Sequence, residues 1–171
     1  LPDALPILQP GLHLFAAAGP LPLAGAVGAG LGGRLMGDTL AKVVTLACMS
    51  VAALCGVGAL YGGWTTGFGP FSVPLADWIN AGGFHATWTL RFDTLSVTMT
   101  AMVLCVSLLV HCYSLGYMSH ETMPVYRFFA YLSLFTFAML MLVSSSDLIQ
   151  LFFGWEGVGL ASYLLIGYWY D

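Results

Sequence analysis

The chain has 171 residues, 59% of them hydrophobic and only 7% charged, with a net charge of −4. Soluble domains average about 25% charged residues, so there is too little here for a solvated surface, and the sequence reads as an integral membrane protein. The four Lys and Arg residues form no basic patch, which excludes nucleic acid as an expected partner.

The opening stretch LPDALPILQPG has neither an initiating Met nor a basic leader and reads as a processed or trimmed end. A first apolar span is predicted at about 12–35. Gly28 and Gly32 make a GxxxG there, and Gly25, Ala29 and Gly33 continue the small-residue pattern that lets helices approach closely. Pro20 and Pro22 fall near its start, where a helix tolerates them best. The loop Arg34–Lys42 leads to a second span at about 40–61.

Residues 62–91 change character. Gly62, Gly63, Gly67, Gly69, Pro70 and Pro74 break helix. From Phe84 to Arg91, apolar residues (Phe84, Ala86, Trp88, Leu90) alternate with polar ones (His85, Thr87, Thr89, Arg91). With the Asn80-Ala81-Gly82-Gly83 turn before it, the segment predicts a short β-hairpin at about 70–91, lying at the membrane surface. Trp64, Trp78 and Trp88 suit the interfacial aromatic belt.

Asp93 is placed to cap a third span at about 94–113. A polar loop, Ser114–Val125, precedes a fourth span at about 128–143, and the Ser144–Asp147 break precedes a fifth at about 148–169. Asp147 followed three residues later by Gln150 resembles a capping box. The expected fold is thus an all-α integral membrane bundle of five transmembrane helices, with an extramembrane hairpin between the second and third.

Loop charge gives an expected orientation. Arg34, Lys42 and Arg127 lie in or beside the first and third loops, and the other side has only Arg91. The positive-inside rule puts the first and third loops on the cytoplasmic or matrix side, with the N-terminus opposite. The cysteine pairs Cys48/Cys55 and Cys105/Cys112 are spaced i, i+7 on predicted helices, about 10.5 Å apart along the axis. Neither pair can close a disulfide on itself, since that needs Cα atoms within about 7 Å. No CxxC metal spacing occurs, so the cysteines are read as small packing residues.

Two positions stand out chemically. Glu156 sits near the middle of the fifth span, where an acid costs roughly 2.5–3.5 kcal/mol to insert on the scale measured for Asp. Gly154, Gly157 and Ala161 share one face of that helix, while Glu156, Gly159 and Tyr163 share another. On the third span, Asp93, Ser96, Thr100, Ser107 and His111 fall within about 60° of arc, a polar stripe that should face protein or a water path rather than lipid.

Glu156 is the candidate proton-transfer residue and His111 a candidate proton relay, with Asp93, Thr100, Ser107 and Tyr163 supporting a polar path. The competing structural account has the hydroxyls bonding their own helix carbonyls, Asp93 acting only as a cap, and both His111 and a protonated Glu156 acting only in packing. A Lys or Arg beside Glu156 would make it a proton switch, yet no predicted span carries one at mid-depth. His13, His85 and His120, at edges and loops, and Asp147 and Asp171, at helix ends, are read as structural. No nucleophile–base pair, phosphate loop, metal cluster or redox centre is evident, and no cofactor is expected in this chain.

The stretches FDTLSVTM (92–99), LVHCYSLGYMSH (109–120), RFFAYLSLFTFAMLMLV (127–143) and LIQLFFGWEGVGLASYLLIGYWY (148–170) closely resemble the chain-5 family of NADH:ubiquinone oxidoreductase, respiratory complex I. The resemblance is dense from Phe92 onward. Before that, LPLAGAVGAGLGGRLMG (21–37) is the similar piece. The resemblance implies the distal antiporter-like subunit of the membrane arm, taking part in proton translocation coupled to NADH oxidation and ubiquinone reduction elsewhere in the complex. It implies that the Glu matching Glu156 pairs with a Lys on a later helix. His111 and the hairpin match further family features, the hairpin helping to tie neighbouring subunits together.

The family chain is much longer than this one, so the sequence reads as the N-terminal part, either a fragment or one half of a split subunit. In the second case another polypeptide would supply the lysine. Expected partners are the bilayer and other membrane-arm subunits. The expected location is the mitochondrial inner membrane, with the bacterial plasma membrane as the alternative. Two other functional readings remain open: a monovalent cation/proton antiporter subunit, and a purely structural piece of the membrane arm.

Overall fold

The computed structural model describes residues 10–69, 71–121 and 123–169, with backbone only at 10, 36 and 84. The elements are α1 (Pro10–Ala18), α2 (Pro20–Thr66), β1 (Phe71–Ala81), β2 (Phe84–Phe92), α3 (Thr94–Tyr117), α4 (Val125–Val143) and α5 (Leu148–Ile166). Among the described residues, five segments are long and apolar enough to cross a membrane: Gly11–Leu35, Gly37–Thr66, Thr94–His120, Val125–Val143 and Leu148–Trp169. The hairpin lies between the second and third, so the expected all-α membrane bundle with a surface hairpin is the fold observed.

The first two spans are joined differently from the expected loop over 34–42. Helix continues on both sides of a single break at Gly37, whose φ of 78° belongs to the left-handed half of the map that glycine enters at little cost. The chain reverses there almost without a loop. Asp38, next to the break, accepts a hydrogen bond on Oδ1 from the Tyr126 backbone N–H at 3.0 Å. That carboxylate satisfies one of the orphan amides in the first turn of α4, a cap worth about 0.5–2 kcal/mol, and brings the first and third joints to one end of the bundle.

Two other boundaries shift. The first span starts before its prolines, as α1, and breaks at Gly19 so that Pro20 opens α2, where its missing N–H costs nothing. The polar loop expected from Ser114 is shorter, because α3 runs on to Tyr117 and a 3-10 turn covers Met118–His120.

The two strands pair antiparallel, Phe71 opposite Phe92 and Ala81 opposite Phe84, around the two-residue turn Gly82-Gly83, with Gly82 at φ 61°. β1 touches the bundle through Phe71 and Val73, at the edge of the core, and through Trp78, whose ring meets Phe153 of α5 at 5.7 Å, but β2 is the more deeply held strand. It buries Ala86, Thr89, Leu90 and Phe92, and Phe92 meets Phe15 of α1 edge-on at 5.5 Å. Beyond Phe92 the chain turns straight into α3 through a complete capping box. Asp93 accepts from the Ser96 N–H at 2.8 Å, while the Asp93 N–H donates to Ser96 Oγ at 3.0 Å.

At the same end the Arg91 N–H donates to Ser144 O at 2.9 Å, and Leu90 bridges to Ser145, so the strand is hooked onto the α4–α5 turn. Gln150 adds to this hook. The expected box at Asp147 is half made: Asp147 Oδ1 accepts from the N–H groups of Ile149 and Gln150. The Gln150 side chain, fully buried, instead turns away from the cap to accept the Thr89 N–H at 3.1 Å. A buried strand amide needs a partner more than the cap does, and Gln150 is the group within reach.

The core lies among α1, α2, α3 and α4. One cluster near the hairpin contains Leu12, Phe15, Leu90, Phe92, Val97 and Met141, and a deeper one contains Ala18, Met49, Ala52, Ala53, Leu104 and Leu140. Among the helices α5 packs chiefly on α4, and near its start Phe153 also meets the hairpin rings of Trp78 and Trp88 edge-on at 5.7 and 4.9 Å. At Gly154 a Cβ would come within 2.7 Å of the Leu142 backbone nitrogen, so only glycine fits that crossing. Gly157 faces Ala138, and Ala161 is fully buried, as expected for the small face. All four cysteines are free thiols. Residues 1–9 and Asp171 lie outside the described residues.

Candidate functional site

Four of the six predicted site residues lie on or cap α3, and the structure sorts them into two groups. At the hairpin end, Asp93 holds the cap already described and pairs with Arg91 Nε at 2.7 Å. Partial burial pushes the Asp93 carboxyl up. The hydrogen bonds from the Ser96 N–H and hydroxyl, together with the Arg91 guanidinium, outweigh that effect and hold it below the usual carboxylate range. About two turns further in, Thr100 is buried, and its hydroxyl has no partner among the described residues.

The second group forms around His111, which is fully buried and lies about 25 Å along α3 from Thr94. Its Nδ1 is 2.8 Å from the backbone carbonyl of Ser107, and its Nε2 is 3.1 Å from Ser133 Oγ on α4. A carbonyl can only accept, so Nδ1 carries the hydrogen. Nε2 is then the site that gains and loses a proton. The Ser133 hydroxyl can donate to the bare nitrogen or accept from its N–H, so both protonation states keep both ring nitrogens bonded with the same neighbours.

Ser107 Oγ bonds Thr136 Oγ1 at 2.5 Å, and Thr136 in turn donates to the Leu132 carbonyl at 3.1 Å. The ring also meets Phe129 at 6.0 Å. Ser133 is shielded on its other side by Gly25 of α2, where a Cβ would sit 3.8 Å from its hydroxyl.

Between the two groups the stripe is interrupted. Leu104 falls in the same arc of α3 as Thr100 and His111, is fully buried, and packs with Met49 and Leu140. The structure therefore brings Ser107 and His111 together, with Ser133 and Thr136 added, and keeps them apart from Thr100 and Asp93 by an apolar layer.

Glu156 and Tyr163 lie elsewhere, on the outer face of α5. Both are exposed, Tyr163 at 73%, and they share that face with Leu160, Gly159 and Phe152. Glu156 is about 12 Å along α5 from Leu148. Since α3 and α5 both start at the hairpin end, it sits roughly 13 Å from His111 in depth. Only 17% of the α5 apolar window is buried, against 33–44% in the other four spans, so this face is where the bundle is open.

Ser133 and Thr136 escaped the sequence reading. Each is an isolated hydroxyl in a run of aromatic and aliphatic residues, and such residues usually bond their own helix. Their only signal was a common face at i, i+3.

Two family models match the chain. One, described as NADH-Ubiquinone oxidoreductase (complex I), chain 5 N-terminus, covers residues 78–129. The other, NADH:quinone oxidoreductase/Mrp antiporter, TM, covers residues 145–171 and so includes Glu156. Among similar curated proteins, NADH-ubiquinone oxidoreductase chain 5 of Marchantia polymorpha is 46% identical over 150 residues, 88% of this chain and 22% of the relative. NADH-quinone oxidoreductase subunit L of Rhodobacter capsulatus is 45% identical over 155 residues, 87% of this chain and 21% of the relative. Chain 5 of Arabidopsis thaliana is 44% identical over 150 residues, again 88% and 22%. The chain thus spans about a fifth of the length of the curated relatives it matches. With five spans, the surface hairpin and the glutamate-bearing fifth helix in place, this multi-pass membrane chain belongs to the complex I chain 5 and subunit L family, to whose N-terminal part it corresponds.

Proposed function

We propose that the chain forms the N-terminal five-span part of the antiporter-like membrane-arm subunit of complex I, and that it contributes to proton translocation coupled to NADH oxidation and quinone reduction. NADH and quinone chemistry, and any cofactor, then belong to other subunits. The observation that carries the reading is the exposure of Glu156 on α5, at mid-depth and on the face the bundle leaves open. A carboxylate facing lipid there is costly, so that face is suited to further protein carrying a cationic group, a lysine in the related chains. That protein is either later sequence of the same subunit or a second polypeptide. Moving a cation toward or away from Glu156 changes its proton affinity, which is the elementary step of a proton switch.

His111 fits a relay in the same reading, since its Nε2 can exchange a proton without loss of hydrogen bonds. The contact of Asp38 with Tyr126 puts Arg34, Lys42 and Arg127 near one end, supporting a matrix or cytoplasmic face for the first and third joints. The location is then the mitochondrial inner membrane or, for a bacterial subunit, the plasma membrane.

The test is Glu156→Gln in the assembled complex. The complex should assemble, while pumping per NADH oxidised falls. Wild-type pumping in that variant would leave a purely structural membrane-arm role. The matched family also includes Mrp antiporters. A sodium requirement for transport would favour the cation/proton exchanger instead.

A further inference from the structure

We infer that a single structural water binds between α3 and the C-terminal turn of α4, held by Thr100 and Ser144. The Thr100 hydroxyl is 3% exposed as a residue and has no protein partner, which a native fold seldom tolerates without a ligand. Thr100 lines a cavity of about 10 Å³. That is the size at which one water fits and nothing larger does.

Ser144 borders the same cavity. Its own proton goes to the Leu140 carbonyl at 2.7 Å, so its oxygen keeps lone pairs for a donor. The remaining wall is apolar, from Phe15, Leu90, Leu140 and Met141, so the two hydroxyls fix where the water sits. A water there accepts from Thr100 and donates toward Ser144. Two partners are the lower limit for a buried water, and these two hydroxyls meet it.

The position gives the water a task. Ser144 is also the residue whose carbonyl accepts the Arg91 N–H of β2, and its neighbour Ser145 bridges to Leu90. The water therefore ties α3 to the turn from which the hairpin strand is hung and from which α5 departs.

A mutant cycle tests this, because wet and dry cavities respond with opposite signs. At Gly19, which borders the cavity, an added Cβ would meet nothing closer than Met141 Cε at 3.6 Å, and its φ of −61° and ψ of −55° suit alanine. Gly19→Ala thus fills the space without strain. In the full-length membrane protein, Thr100→Val should lower the melting midpoint by about 2–4 °C, since it leaves the water short of a partner. Gly19→Ala should be more favourable by a similar amount in the Thr100→Val background than alone, because only there is the water dispensable.

Thr100→Ser should keep the wild-type midpoint. A map of the wild-type protein resolving other buried waters should show one between Thr100 and Ser144, and the Gly19→Ala map should lack it. A raised midpoint in Thr100→Val, additivity of the two substitutions, or no density at that position in the wild type would each overturn the assignment.

Discussion

Helices α3 and α5 each carry a polar, proton-binding residue deep within a span, His111 and Glu156, and the bundle treats them in opposite ways. His111 is sealed inside, with both ring nitrogens bonded by groups of this chain and an aromatic ring beside it. Glu156 stands on the least covered helix, among exposed side chains, with no hydrogen bond from the described residues. Burial inside a finished network holds a group in one geometry whatever its charge. Exposure on an open face leaves a group's energetics to whatever is placed against it. The first arrangement suits a fixed relay and the second a switch.

Substitutions can break that contrast or sharpen it, and they rank by expected effect on the folded bundle. Gly154→Val would remove the platform on which Glu156 is carried. Its side chain would enter the Leu142 backbone, which cannot yield as a flexible side chain could, and the overpacking should cost about 3 kcal/mol. Loss of the subunit from the assembled complex, seen on native gels, is the expected readout.

His111→Ala comes next, at about 2–3 kcal/mol, because it opens a buried space and strands the Ser133 hydroxyl. It should also lower turnover or shift its pH dependence more than Ser107→Ala does. Equal and negligible effects would make the ring a packing residue. Ser133→Ala should cost about 1–2 kcal/mol by leaving Nε2 unpartnered in a buried site. Ser133→Thr, which keeps the hydroxyl, should restore both stability and pH profile, a recovery that a space-filling role for Ser133 would not predict.

Glu156→Gln closes the series, with no measurable change in thermal stability of the bundle and a clear loss of pumping. If it destabilised the bundle as much as His111→Ala, the contrast between inner and outer residue would fail.

How much of this could be read from sequence follows from how local each feature is. The Asp93 cap, the hairpin turn and the small face of α5 are set by residues within a few positions of one another, and spacing displayed them, although the return bond from Ser96 that completes the Asp93 box appeared only in the structure. The arc on α3 displayed its polar residues too, but counting only those hid Leu104 in the same arc, and one leucine is enough to divide the stripe. Gln150 illustrates a different limit. Its spacing from Asp147 fits a box, yet a strand amide 61 residues earlier in the chain claims its side chain. Ser133 and Thr136 became visible only when α3 lay across α4. The exposure of Glu156 was foreshadowed by the lack of any mid-span Lys or Arg, which already left the acid without a partner in this chain.

The hydrogen bond from Tyr126 to Asp38 spans 88 residues of sequence and so has a place in time as well as in space. At roughly 5–20 residues per second, the ribosome needs on the order of ten seconds to reach the fourth helix after finishing the first joint. For the later part of that interval, once the second span has been made, the first two spans precede α4 with the Asp38 side chain at their joint and its backbone partner not yet present. When α4 enters, its leading amide finds an acceptor already in position. The early pair of helices thus acts as a template for a later one, and Asp38→Ala should show itself less in the finished protein than in the fraction of chains that insert α4 in the correct place.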